Sequence, residues 1–157
     1  MATYKSEMLS FGYTATLHIR HPPQSLASLT ERLGLAPSQT HNAGDARTTP
    51  NGMVLNEHYP EHYWSCDLKT EDQHDITEFL RKIVSEFEPN RQFLCAIAET
   101  GGVVCVFIGV GNSHCCAHQF DRHLLFDLAA TGIDLRIDFY GGELPQRGLH
   151  PCVENKA

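Results

Sequence analysis

The chain has 157 residues, 41% hydrophobic and 20% charged, a length and composition that suit one globular domain and exclude a disordered chain. Nineteen acidic residues against 12 basic ones give a net charge of -7, so the average field repels nucleic acid and anionic lipid; it would draw in a basic protein partner or simply keep the protein soluble. The ten histidines, with an ordinary pKa near ~6.5, make any such charge-driven binding sensitive to pH.

No stretch reaches the ~20 apolar residues of a membrane span. The first residues show no basic segment followed by an apolar run, so no secretory signal is expected. The expected setting is the cytoplasm, where the six cysteines would be free thiols or metal ligands rather than a disulfide framework.

Tyr13 to Arg20 alternates, with Tyr13, Ala15, Leu17 and Ile19 on one face and Thr14, Thr16, His18 and Arg20 on the other, which predicts a half-buried strand. Pro22 and Pro23 end it. Ser25 is placed to cap a short helix marked by Leu26, Leu29 and Leu33 and stopped by Gly34. Residues 36–62 show no sustained period and are rich in Pro, Asn, Gly and His, with one small strand at Met53 to Leu55; so long a connection is often functional. Tyr63 to Lys69 alternates again, with Trp64, Cys66 and Leu68 on one side. Ile76, Phe79, Leu80, Ile83, Val84 and Phe87 form one helical stripe, opened by a capping box of Asp75 and Glu78 and ended at Pro89.

Phe93 to Glu99 and Val103 to Val110 read as two apolar strands joined by Thr100-Gly101-Gly102, a connection short enough for an antiparallel hairpin. From about His118 to Thr131, Phe120, Leu124, Leu125 and Leu128 give another helical stripe closed by Gly132. Asp134 to Tyr140 alternates strictly, with Leu135, Ile137 and Phe139 inward. The segment 141–157 carries little that could pack and is expected to be a loosely held tail. The expected architecture is a single α+β domain over residues 1–157 with its ordered core at about 10–140. Its largely antiparallel sheet of about five strands would carry three helices on one face.

Three groups of residues could carry chemistry. His114, Cys115, Cys116 and His118 offer imidazole and thiolate ligands; if a helix begins by Ser113, His114 and His118 share one face, which suits zinc or copper. The other reading is two small buried thiols and two solvated histidines. The long connection holds His41, Asp45, Arg47, Glu57, His58, Glu61 and His62, a set that contains groups able to act as general acids or bases, although Asp45 after Gly44 also suits a turn. The polar sheet face sets Thr14, Thr16, His18 and Arg20 beside Asp134, Arg136, Asp138 and Tyr140 if the first and last strands are neighbours, a mixed-charge platform for a partner or the ordinary wet side of a sheet. Cys66, Cys95 and Cys105 fall in expected strands and read as core. A phosphate loop, a nucleophile elbow and a His-Glu-x-x-His helix are absent.

Tyr13 to Ile19, Leu33 to Pro37, Gly44-Asp45, Trp64 and Asp134 to Tyr140, taken in order, resemble a bacterial family catalogued as a domain of unknown function, number 4279. The resemblance covers about residues 10 to 140. It implies a stand-alone small bacterial protein and brings no catalytic residue, cofactor or substrate; residues 114–118 lie outside its pattern. Together these observations favour a non-enzymatic protein-binding module, immunity-like or regulatory. It would hold a partner through His18, Arg20, Asp45, Arg136, Asp138 and Tyr140. The alternatives are a metal-binding protein or hydrolase built on His114, Cys115, Cys116 and His118, or a small-molecule sensor lined by Tyr63 and Trp64.

Overall fold

The alternating segment that includes Tyr13 is a strand, β1 (Gly12–His21), at the middle of a five-stranded sheet. The structure is a computed structural model and describes residues 12–21, 26–70, 75–112 and 118–141. After β1 come helix α1 (Leu26–Leu33) and strands β2 (Gln39–His41), β3 (Ala46–Thr48), β4 (Val54–His58) and β5 (His62–Leu68). Helices α2 (Ile76–Phe87) and α3 (Arg91–Glu99), strand β6 (Val103–Asn112), helix α4 (Arg122–Ala130) and strand β7 (Asp134–Gly141) complete it. The sheet order is β2-β5-β1-β6-β7, and all neighbours are antiparallel except β6 and β7. Helix α4 is the crossover that a parallel pair requires. Strands β3 and β4 form a separate hairpin. The chain is a single α+β domain built on a mostly antiparallel sheet.

One side of the sheet is dry. Leu17 and Ile19 of β1, Trp64 and Cys66 of β5, and Val104, Val106, Ile108 and Val110 of β6 pack in one cluster with Leu29 of α1, Ile76, Phe79, Leu80, Ile83 and Phe87 of α2, Leu94 and Ile97 of α3, and Leu124 and Leu128 of α4. Trp64 is fully buried there, and its indole N–H donates to the Thr30 hydroxyl at 3.0 Å, tying α1 to β5. It is core and not pocket lining. Asp75 caps α2 as the sequence implies, its carboxylate accepting from the N–H groups of Thr77 at 2.6 Å and Glu78 at 3.4 Å.

Residues 93–99 are helix, where the apolar run reads as a strand. Leu94 and Ile97, three apart, are its buried positions, and Phe93 and Cys95 are half-buried. A short apolar run satisfies both periods, and here the good helix formers Leu94, Ala96 and Ala98 decide. Pro89 falls at the start of a 3-10 turn, Glu88–Asn90, where its missing N–H costs nothing, so α2 leads almost directly into α3. Thr100 then donates its hydroxyl to the Ala96 carbonyl at 2.7 Å, and Gly101 takes φ 88°, so Thr100-Gly101 ends a helix and turns no hairpin.

Three further positions differ from expectation. The connection 36–62, expected to be irregular but for one small strand, contains β2 and the β3–β4 hairpin. Helix α4 starts at Arg122, capped by Asp121, so His118 precedes the helix rather than lying within it. Phe139, expected inward, is 68% exposed, because β7 is the outermost strand and the helix layer does not reach over it there. Ser25, His114, Cys115, Cys116 and the segment 142–157 lie outside the described residues.

Candidate functional site

The second face of the sheet is built from the alternate positions of the same strands. His18 of β1 lies on it, and the strand register brings Tyr63 of β5 and Phe107 of β6 diagonally beside it. The His18 ring stands edge-on to Tyr63 with centroids 5.7 Å apart, lies 5.6 Å from Phe107, and its Nδ1 is 3.1 Å from the Tyr63 hydroxyl. Tyr63 pairs with His41 of β2, and their rings stack at 5.0 Å. His41 stacks in turn on Tyr59 at 3.5 Å and 17°. A guanidinium closes each end: Arg47 of β3 lies 5.8 Å from the Tyr59 ring and Arg136 of β7 lies 5.5 Å from the Phe107 ring.

The result is one continuous row, Arg47, Tyr59, His41, Tyr63, His18, Phe107 and Arg136, that crosses the molecule at right angles to the strands. Most of its rings are half-buried, and Phe107 is buried at 6% exposure although it stands outside the main core. Burial lowers the His41 pKa, with Arg47 and His62 lowering it further and Asp45 opposing them. Its Nδ1 is buried and makes no hydrogen bond among the described residues. A neutral imidazole is the form that stacks most cheaply between two phenol rings.

Asp45 holds the row from outside. Its carboxylate accepts from the Asn42 N–H at 2.7 Å and its backbone N–H donates to the Asn42 carbonyl at 3.1 Å, closing the turn between β2 and β3. The Ala43 N–H donates to His62 Nδ1 at 3.3 Å, which fixes that turn to β5. The other loop groups are spent on structural pairs: Arg47 with Glu57 at 2.7 Å and Arg20 with Glu61 at 3.5 Å.

The expected platform of β1 beside β7 is corrected by the strand order, since β6 lies between them. Arg20 pairs within its own side of the sheet. Arg136 makes a bidentate pair with Asp138 on the same strand, both contacts at 3.1 Å. Tyr140 fits over Gly109, where a Cβ would come within 3.3 Å of its ring and 3.0 Å of the Thr14 hydroxyl, so a strand glycine makes room for it. Burial raises the Tyr140 pKa, as the charge of Asp138 also does. Tyr59 and Phe107 are not singled out by the sequence pattern and join His41 on this surface only through the fold; the concentration of rings at Tyr59, His62 and Tyr63 is the one local signal.

Of the metal cluster expected from the sequence only His118 is described, its ring 6.4 Å from that of Phe120. Among the described residues no group of three or more His, Cys, Asp or Glu side chains could hold a metal ion. Burial raises the pKa of the Cys66 and Cys105 thiols, against a nucleophilic role. No described helix is long and apolar enough to cross a membrane.

A family model described as a domain of unknown function (DUF4279) matches residues 11–142. No curated protein and no solved structure matches the chain.

Proposed function

The chain belongs to the DUF4279 family, and from that premise we propose that it is a non-enzymatic bacterial module that binds another protein through the second face of its sheet. The observation that carries this reading is the row from Arg47 to Arg136, which draws one residue from nearly every strand. Tyrosine and arginine are the residues that most often anchor protein interfaces, and half-buried rings already fixed by stacking lose little entropy on binding. The net charge of -7 favours a partner with a basic surface. The free thiols of Cys66, Cys95 and Cys105 fit a cytoplasmic setting.

Affinity capture from the native lysate tests this, run with the wild-type chain, with Tyr63→Ala and His18→Ala, and with Lys82→Ala on exposed α2 as the control. The expected result is a protein retained by wild type and control and lost by both face variants. A partner retained equally by all four, or no partner at all, contradicts the reading.

A further inference from the structure

Strand β7 ends one side of the sheet, and among the described residues no strand pairs with its outer edge. An edge of eight residues offers a ladder of backbone donors and acceptors, which proteins commonly blunt with proline or a bulge. Between Asp134 and Gly141 there is no proline, and its pairing with β6 runs without a register shift. Phe139, 68% exposed, stands on the side that helices cover elsewhere. Among the described residues nothing covers this apolar ring.

We propose that the β7 edge binds a second copy of this chain, antiparallel, about a two-fold axis at Ile137. The strand Asp134-Leu135-Arg136-Ile137-Asp138-Phe139-Tyr140 is chemically complementary to its own reversal about that residue. With Ile137 opposite Ile137, each Arg136 lies opposite an Asp138, each Leu135 opposite a Phe139 and each Asp134 opposite a Tyr140. Directly opposed side chains have Cβ atoms about 5 Å apart, within reach of an ion pair or an apolar contact. An axis perpendicular to the sheet keeps both second faces on the same side, so opposed residues must share parity along the strand. Shifting the axis to Arg136 would set arginine against arginine, and shifting it to Asp138 would set aspartate against aspartate. A centre at Leu135 would also set Asp134 against Arg136, but it pairs only residues 134–136 of the strand, whereas Ile137 opposes unlike charges and pairs residues 134–140.

The Arg136 and Asp138 side chains already form a fork on this strand. The same donors and acceptors can reach across the axis, and two-fold symmetry makes each contact twice. Phe139, 68% exposed, then gains an apolar neighbour in Leu135 of the second copy. The two five-stranded sheets become one continuous sheet, with both ring-bearing faces on one surface. A single strand pair buries less than the roughly 1,200–2,000 Å² of standard interfaces, so the dimer is concentration-dependent.

Sedimentation equilibrium of the full chain across the micromolar range tests this. Wild type is expected to show a monomer–dimer equilibrium. Arg136→Asp places aspartate against Asp138 of the second copy, and Asp138→Arg places arginine against its Arg136, so each variant alone should self-associate at least tenfold more weakly. Mixed in equal amounts, the two variants become complementary and should associate with wild-type affinity, a rescue that misfolding cannot imitate. Phe139→Ser should weaken association while leaving the circular dichroism spectrum unchanged. A wild-type chain that stays monomeric at high micromolar concentration overturns the proposal and leaves the edge to a strand of another protein. Single variants that associate as well as wild type, or a mixture that does not associate, overturn it too.

Discussion

On the helix-covered side of β1 and β6, Leu17, Ile19, Val104, Val106 and Ile108 are at most 1% exposed. One residue along in the same strands, His18 lies half-buried between Tyr63 and Phe107. The first set gains stability from apolar area removed from water, a non-directional effect that needs only size and shape. The second set is held by ring geometry, two terminal guanidinium groups and half-buried imidazoles, each directional and each partly wet. Identical backbone thus serves two purposes, and the difference shows in what each face should lose when altered.

The comparison breaks most visibly on the dry side. Phe79→Ala removes a ring that is 1% exposed and should cost about 3–5 kcal/mol in denaturant unfolding. On the other side Tyr63→Ala should cost only about 1–2 kcal/mol, because its ring is half-buried and loses stacking with His41 and His18. An equal loss at the two positions would abolish the distinction.

Asp75→Ala deletes the α2 cap and should cost about 1 kcal/mol, with Asp75→Asn recovering most of it. The capping N–H groups hold the Asp75 carboxyl below its ordinary range. Its contribution is therefore full above the pKa of the unfolded chain, near ~3.9, and is lost as the pH falls below that. His41 adds a change at milder pH. Its folded pKa is lowered, so the unfolded chain takes up the proton first; the contribution is full above about pH 6.5 and declines as the pH falls through that value. Amide protection factors in β2 and in the turn at residues 42–45, which divide out the intrinsic pH dependence of exchange, should fall below about pH 6 in wild type and hold level in His41→Gln. The smallest effect belongs to Arg136→Ala, which removes an exposed ion pair from one strand and should shift monomer stability by less than about 0.5 kcal/mol.

Helix α2 and strand β1 were legible from sequence because each carries one clear period over eight or more residues, and in α2 the cap lies next to it. Helix α3 was not, since a short apolar run fits a buried strand as well as a helix and only the helix formers Leu94, Ala96 and Ala98 tip the balance. The row of rings was less legible still. His18 and Tyr63 are 45 residues apart and meet through strand pairing, which local periodicity does not encode. Phe107 lies in a run apolar on both faces, so nothing local showed that it belonged to the wet one. That β6 lies between β1 and β7 is a property of strand order, which has no local signature in the sequence.

The central claim is that recognition resides on the ring-bearing face and stability on the other. The most direct test is to titrate the captured partner against Tyr63→Ala and Lys82→Ala in parallel, with each chain confirmed as folded. The account predicts an affinity at least tenfold weaker for Tyr63→Ala and unchanged for Lys82→Ala. Equal affinities for the two would contradict it.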